Sequence, residues 1–343
     1  MRAMPWIQRL VIASIGLALC VILLGAYTRL SDAGLGCPDW PGCYGQLKAP
    51  STTEEIYAAH QLYPGAPVDT AKARTEMTHR YAAETLGTFI MIFALLAYWK
   101  RREISIPLWL PGLLAVLVLA QGLLGMWTVT MRLLPLVVMS HLLGGFCTLA
   151  LLWLSWLYLQ KKPTFSFSPQ RFLLMLGNLS LLMIVLQIIL GGWTSANYAA
   201  LICPDFPTCQ GQWLPHFSAR AFNFLGGLGL EEPLSYMDSA EKTTIHVMHR
   251  LGALLTTILI ATLSFSLWRE AKKVSSLEAK HWLKNFSFLL AFVLVAQLCL
   301  GISNILFHLP LSIAVAHNGV AVLLLLILIA LNFTLRAIRV SRG

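Results

Sequence analysis

Residues 37–45 read CPDWPGCYG, and residues 203–211 read CPDFPTCQG. The two stretches share the pattern C-P-D-aromatic-P-x-C-x-G at an offset of 166 residues. The match continues without a gap into the apolar segments before them, where LGAYT at 24–28 aligns with LGGWT at 190–194. A fixed offset of this kind indicates an internal repeat, so the sequence predicts two halves in tandem.

The rest of the chain is strongly apolar. Of its 343 residues, 57% are hydrophobic and only 12% are charged, which excludes an ordinary soluble domain. Runs of about 20 apolar residues predict membrane spans, and backbone hydrogen bonding in lipid requires them to be helices. Eight such runs occur, at 9–29, 77–99, 107–130, 135–159, 171–193, 244–268, 285–305 and 311–335. We therefore predict an all-α integral membrane protein with eight transmembrane helices.

Further matches extend the repeat through the later helices. QGLLG at 121–125 corresponds to QLCLG at 297–301. The eight helices thus divide into two tandem pseudo-symmetric four-helix bundles, predicted at 1–165 and 166–343. The basic start of the first span is also typical of a cleaved signal peptide. Because the fifth span repeats its outer end, we favour a retained helix.

The charges are distributed unevenly between the two sides of the membrane. Segments on the side of the N-terminus hold 16 basic and 3 acidic residues, whereas the remainder holds 9 basic and 12 acidic ones. The positive-inside rule then places both termini in the cytoplasm, with a bacterial plasma (inner) membrane as the expected location. The net charge of +10 reflects this topology and contact with anionic membrane lipid, and gives no reason to invoke nucleic acid.

Four histidines lie near the outer ends of the apolar spans: His79, His141, His249 and His317. Each predicted half has one on its second helix and one on its fourth, at equal depth. Two such imidazoles can hold a haem iron from opposite sides, and small neighbours such as Gly144 and Gly252 would let a flat macrocycle approach. The alternatives are buried histidines bonded to other helices, or bare copper or zinc, for which no third ligand is evident.

The residue one helical turn before each helix-two histidine differs between the halves. Glu76 precedes His79, whereas His246 precedes His249. A carboxylate beside one site suggests proton transfer at a bound substrate. Capping of the helix N-terminus is the alternative role for Glu76.

Two arginines follow these histidines. Arg80 has Glu76 and Glu84 four residues away on either side, so an ion pair within the helix can account for it. Arg250 has no acid at those positions. A haem propionate is the partner that we favour for Arg250, and Glu241 is the alternative.

Four cysteines lie in the two long outer loops, where disulfides persist. We expect Cys37 to pair with Cys43 and Cys203 with Cys209. A structural role in shaping each loop is the first interpretation, and a redox-active dithiol is the second. Zinc held by all four thiolates is disfavoured on an oxidising side.

With these motifs in place, the chain resembles the haem A synthase family. The resemblance covers Glu76-x-x-His79-Arg80, His141, the pair His249 and His317, and a cysteine pair in each long outer loop. Family members without the cysteine pairs exist, so this sequence is similar to the cysteine-bearing type.

The resemblance implies an oxidoreductase that converts the ring methyl of haem O to a formyl group, giving haem A for terminal oxidases. It implies that His79 and His141 flank the substrate haem, with Glu76 as the essential carboxylate. It implies that His249 and His317 are axial ligands of a haem b cofactor. Redox chemistry of Cys37 and Cys43 is also implied. The expected partners are a haem O synthase and an electron donor of unidentified kind, and a homo-oligomer is compatible with the sequence.

Two other classes of protein compete with this interpretation. A haem with histidine on both faces has no open position for oxygen, which favours a dihaem b-type cytochrome that transfers electrons, for example with a quinone. A transporter built from repeats is the other class. It predicts broken helices with polar groups at the midplane, whereas the polar groups here lie at the outer ends.

Overall fold

The computed structural model describes residues 5–160, 167, 169–223 and 237–340, with side chains as far as residue 338. Within these ranges the chain forms helices and no strand, which confirms the all-α prediction. The α-helices are α1 (Pro5–Leu30), α2 (Thr53–Leu62), α3 (Thr70–Trp99), α4 (Trp109–Thr130), α5 (Pro135–Leu159), α6 (Arg171–Ala196), α7 (Ser239–Ala271), α8 (Leu277–Leu306) and α9 (Leu311–Val340).

Eight helices in this described part of the chain are long and apolar enough to cross a membrane, and they correspond one to one with the predicted spans. The protein is therefore a multi-pass membrane protein. Large apolar side chains on the helix surfaces are exposed, such as Leu119 and Phe292. Apolar side chains are well solvated by lipid, so packing them against another helix brings no gain in hydrophobic free energy.

Four spans begin earlier than hydropathy predicts, at Pro5, Thr70, Ser239 and Leu277, and the last three begin behind a capping side chain. Helix α3 begins at Thr70 because Asp69 caps it, accepting hydrogen bonds from the amides of Ala71 and Lys72 at 3.0 Å each. Helix α7 begins at Ser239 behind a capping box formed by Asp238 and Glu241. Polar caps set these ends, and hydropathy does not register them.

The first long loop contains a helix that we did not predict. Helix α2 starts with a capping box in which the Thr52 hydroxyl accepts from the amide of Glu55, and the Glu55 carboxylate accepts from the amide of Thr52. The sequence signal was present as a threonine followed three residues later by a glutamate.

The described residues form two compact units, one within 5–159 and the other from residue 160 onward. In the first unit α1 contacts α3, α3 contacts α4, α4 contacts α5, and α5 returns to α1. In the second unit α6, α7, α8 and α9 close a ring in the same way. Both residues of the predicted domain boundary, 165 and 166, lie outside the described ranges, so those limits stay a prediction. Four of the basic residues used for orientation also lie outside the description: Arg2, Lys161, Lys162 and Arg342.

Candidate functional site

The first unit brings its two predicted histidines together. His79 projects from α3 and His141 from α5, and their ring centroids are 6.4 Å apart with the ring planes at 76°. At this separation one metal ion can be reached by both imidazoles, since metal–imidazole bonds are about 2 Å long. The arrangement fits a bis-histidine site between two helices.

Each of these rings packs against a glycine of a neighbouring helix. A β-carbon at Gly25 on α1 would lie 2.8 Å from Nε2 of His79, which is closer than van der Waals contact. A β-carbon at Gly125 on α4 would lie 3.5 Å from Cε1 of His141. The missing side chain at Gly25 therefore makes the space that His79 occupies.

The second unit repeats these contacts. A β-carbon at Gly191 on α6 would be 3.0 Å from Cε1 of His249, and one at Gly301 on α8 would be 3.1 Å from Cε1 of His317. All four glycines lie within the repeat motifs, but the sequence alone did not connect them to the histidines.

The glycines that we singled out beside the histidines have a different role. A β-carbon at Gly144 would clash with the side chain of Gln121, and one at Gly252 would clash with that of Gln187. These two positions accommodate glutamines from adjacent helices, so the expectation that they face a macrocycle directly is wrong for them.

The glutamines distinguish the two units. In the second unit, Nε2 of Gln187 lies 3.0 Å from Nδ1 of His249 and also donates to the carbonyl oxygen of His249 at 3.0 Å. Nε2 of Gln297 lies 3.3 Å from Nε2 of His317. Sequence reasoning missed these residues, although an amide inside an apolar helix is itself a signal. The residue at the repeat position of Gln187 is Val21, which has no polar side chain.

Several buried polar atoms around the histidines have no hydrogen-bond partner among the described residues. In the first unit they include Nδ1 of His141 and Nε2 of Gln121, and in the second Nδ1 of His317. Unsatisfied buried groups are costly, and their clustering at functional sites fits a bound group that the protein surrounds.

Glu76 and Arg80 form a buried ion pair on α3, as predicted for Arg80. The carboxylate of Glu76 also accepts a hydrogen bond from the amide of Cys37 at 2.9 Å. The capping alternative for Glu76 is wrong, because the helix begins six residues earlier behind Asp69. Glu76 is instead attached to the first disulfide loop.

Arg80 is bound to the same loop. Its guanidinium donates to the carbonyl oxygens of Asp39 at 3.1 Å, Pro41 at 3.2 Å and Gly42 at 2.6 Å. Thus Glu76 and Arg80 together bind an amide and several carbonyl oxygens of one short loop.

Arg250 makes the equivalent contacts in the second loop. It donates to the carbonyl oxygens of Asp205 at 2.8 Å, Pro207 at 3.5 Å and Thr208 at 2.7 Å, and to that of Cys203 at 3.2 Å. Its alternative partner Glu241 is engaged in the cap of α7. Among the described residues, the buried Nε atom of Arg250 has no hydrogen-bond partner, which leaves one donor for another acceptor.

His246, the counterpart of Glu76, is directed at the protein backbone. Its Nδ1 lies 2.9 Å from the carbonyl oxygen of Ala199. In the second unit, the imidazole of His246 therefore contacts a loop carbonyl oxygen. At the corresponding position of the first unit, the carboxylate of Glu76 accepts a hydrogen bond from a loop amide.

Both disulfides form as predicted, between Cys37 and Cys43 and between Cys203 and Cys209. All four thiols are thereby consumed, and the zinc alternative is wrong.

The shared aspartate and glycine of the loop pattern have structural roles. Asp39 accepts from the amides of Tyr44 at 2.6 Å and Gly45 at 2.9 Å, and Gly45 has a φ of 74° that favours glycine. Asp205 accepts likewise from Gln210 at 2.6 Å and Gly211 at 3.0 Å. The hydroxyl of Thr208 and these amides lower the pKa of Asp205 to about 2.

The remaining histidines lie at exposed positions and join neither pair: His60, His216, His281 and His308.

In its described part, the chain has eight helices able to span a membrane, and each unit carries on its helices one of the two predicted histidine pairs, together with one disulfide-closed loop. These features define a multi-pass membrane protein with candidate metal-binding histidine pairs. A family model described as "Cytochrome oxidase assembly protein" matches residues 8–329. The chain is 44% identical to the Heme A synthase of Shewanella oneidensis, over 97% of this chain and 96% of that protein. It is 27% identical to the Heme A synthase of Mesorhizobium japonicum, over 89% of this chain and 84% of that protein. It is 26% identical to that of Neorickettsia sennetsu, over 90% of this chain and 94% of that protein. The chain belongs to the haem A synthase family of cytochrome oxidase assembly proteins.

Proposed function

We propose that the chain is an enzyme of haem A biosynthesis that oxidises the ring methyl of haem O to a formyl group. The observation that carries this proposal is the environment of Glu76. Its carboxylate is buried one helical turn before His79, and the ring of His79 lies 6.4 Å from that of His141. An acid–base group beside a bis-histidine site is what oxidation of a substrate haem requires, whereas electron transfer alone does not require it.

In this proposal, His79 and His141 hold haem O as the substrate in the first unit. With dioxygen as the oxidant, each of two successive hydroxylations of the methyl carbon consumes one O2, two electrons from the donor and two protons, and releases one water. The resulting geminal diol then loses a further water to leave the formyl group. Glu76 accepts a proton during these steps. Arg80 and the amide of Cys37 fix the orientation of its carboxylate, so the acceptor is held in place before the substrate binds.

His249 and His317 are the proposed ligands of a haem b cofactor in the second unit. The residues fit such a group, because each ring contacts a glycine of a neighbouring helix and Nδ1 of His317 is buried with no hydrogen-bond partner in the described part of the chain. When bound, haem b would supply one-electron transfer to the oxidation. The Nε atom of Arg250, which no other described residue accepts from, supports its assignment as a donor to a haem propionate.

The cysteine pairs are proposed to act mainly by shaping the loops. Glu76 and Arg80 both bind the loop that Cys37 and Cys43 close, so that disulfide supports the reaction site through the positions of loop backbone groups. A redox function for this pair would be an addition to the structural one.

The proposed setting is the bacterial inner membrane, with both termini in the cytoplasm. The two units of the proposal are 1–165 with the substrate haem and 166–343 with haem b. A haem O synthase is the proposed source of substrate, an electron donor is required, and assembly of several copies is compatible with this scheme.

A dihaem b-type cytochrome is the second candidate. The observation in its favour is that a histidine lies on each side of the first site, which leaves no open iron position for oxygen. For the synthase, a ligand is displaced during the reaction or oxidation proceeds without oxygen binding at that iron.

Extraction of haem separates these candidates. The protein is expressed with a source of haem O, and extracted haems are resolved by chromatography and mass. Haem A or its hydroxylated intermediate is expected for the unaltered chain. Recovery of haem b alone from both sites would contradict the synthase proposal.

Glu76→Ala tests the assigned carboxylate in the same experiment. Loss of general acid–base assistance is expected to lower haem A formation by at least roughly 100-fold. Glu84→Gln is the matched control, since Glu84 is an exposed carboxylate on the same helix. Equal losses in both variants would assign the effect to the helix and not to Glu76.

A further inference from the structure

A groove of about 650 Å³ runs between α7 and α8 in the second unit. It is lined by apolar side chains from the stretches of both helices that lie toward their short connection. Phe265 and Phe288 on its walls are 55% and 62% exposed, so the groove opens on the outer surface of the helix pair. In a membrane protein this surface faces lipid.

The hydroxyl groups in the groove are already satisfied. Ser264 and Ser287 donate to each other's carbonyl oxygens at 2.8 Å, and Thr257 donates to the carbonyl of Ala253 at 2.7 Å. A ligand with polar groups along its length would find no partner here. The lining therefore suits a hydrocarbon chain.

Positive charge lies at the end of the groove near the helix connection. The guanidinium carbon of Arg269 is 5.9 Å from the ring centroid of Phe265, and Nζ of Lys272 is 3.3 Å from that of Trp268. Both rings line the groove. Each cation thus lies about one helical turn beyond a lining aromatic residue, at the level where α7 ends.

These cations are available to a ligand. Within the described part of the chain, neither Arg269 nor Lys272 takes part in an ion pair, whereas the adjacent Lys273 pairs with Glu270 at 3.2 Å. Both side chains are also exposed. Two cations beside an apolar groove match a molecule with one anionic end and one hydrocarbon end.

We propose that this groove binds an anionic phospholipid, with an acyl chain between α7 and α8 and the phosphate at Arg269 and Lys272. A ligand must contact both the groove and the two cations. A free phosphate would contact only the cations, and a neutral isoprenoid would contact only the groove. The combination selects an anionic phospholipid over a zwitterionic one.

Native mass spectrometry of the full chain tests the proposal. The protein is released from nanodiscs containing equal amounts of phosphatidylglycerol and phosphatidylcholine, and retained lipids are counted. One phosphatidylglycerol is expected to remain in preference to phosphatidylcholine. In the double variant Arg269→Gln with Lys272→Gln, its retention is expected to fall roughly fivefold for each charge removed.

A second variant addresses the groove itself. Ala291 lies on its wall, so Ala291→Phe fills the space and is expected to abolish retention while the cations remain. The charge variant alters exposed side chains, and it keeps the proposal testable if the filled groove does not fold.

The control removes two charges elsewhere. The guanidinium carbon of Arg101 lies 4.9 Å from the ring centroid of Tyr98 in the first unit, and Lys100 pairs with Glu103 at 3.0 Å, so Lys100→Gln with Arg101→Gln removes the same formal charge outside the groove. Retention is expected to be unchanged. An equal fall in this control, full retention in Ala291→Phe, or displacement of the lipid by added inorganic phosphate alone would each overturn the proposal.

Discussion

The amide of Cys37 donates to the carboxylate of Glu76 at 2.9 Å, which joins a disulfide-bonded residue of the first loop to the buried acidic residue of α3. Arg80 completes the connection, because it binds both Glu76 and the carbonyls of that loop. The position of the loop and the orientation of the carboxylate are therefore set together.

Replacement of Cys37 and Cys43 by serine is expected to lower haem A formation and to leave the haem of the second unit in place. Opening so short a ring costs about 2 kcal/mol of loop stability, and the amide that orients Glu76 becomes mobile. Product analysis and the haem spectrum of the purified variant measure the two effects.

Replacement of Cys203 and Cys209 by serine is the matched comparison. It removes the same kind of bond from a loop that binds Arg250 and has no carboxylate at the position of Glu76. We expect a similar loss of stability with a smaller loss of product. Loss of the second haem on opening the first loop would contradict this local interpretation.

Gly25→Ala is expected to disturb the first histidine pair. The new β-carbon would lie 2.8 Å from Nε2 of His79, and overpacking of this kind costs about 1–3 kcal/mol. On that basis we expect product formation to fall by roughly 5- to 160-fold, with the second haem retained.

Gly16→Ala is its control on the same helix, because a β-carbon there meets nothing within 4 Å. Activity and thermal stability of this variant should match or exceed those of the unaltered protein. If Gly25→Ala behaves like Gly16→Ala in both assays, the close contact between Gly25 and His79 does not affect function.

His249→Ala and His317→Ala are each expected to remove the haem b signal. Loss of one axial ligand exposes the iron and weakens binding, so the reduced-minus-oxidised absorption spectrum should lose its low-spin bands. His60→Ala, at an exposed position on α2, should leave the spectrum unchanged. An unaltered spectrum in both of the first two variants would refute the ligand assignment.

The second loop is expected to lose order in acid. The pKa of Asp205 is about 2 in the folded loop, below its ordinary value of 3.8, because Thr208 and the amides of Gly211 and Gln210 favour the carboxylate. Its contribution to loop stability is therefore complete above about pH 4 and is lost as the pH falls toward 2.

Hydrogen exchange of the loop amides between pH 5 and pH 2 measures this effect. In Asp205→Asn the acid-dependent increase in opening, after correction for intrinsic exchange rates, should disappear. An identical pH profile in the variant would show that another group controls the loop.

Much of the architecture followed from the sequence, for reasons that particular elements show. The spans were predictable because lipid imposes length and hydropathy on any crossing helix. The start of α3 was not, since the single side chain of Asp69 decides it. The disulfide partners were predictable because each pair lies in one short loop.

The site was predictable in its ligand candidates and less so in their surroundings. Repetition singled out His79 and His141, which the structure brings together. The contact between Gly25 and His79 depends on how α1 and α3 are rotated against each other, and no local pattern encodes that rotation. The carbonyl partners of Arg250 depend on the folded course of a loop, which likewise escaped prediction.

The contacts between glycine and histidine also bear on how the protein matures. His79 needs the cleft beside Gly25 on another helix, and His249 needs the one beside Gly191. Helices that have inserted singly into the bilayer thus carry no formed ligand pair. Only their lateral association brings the paired histidines together, so in the proposed enzyme haem would be loaded after helix assembly.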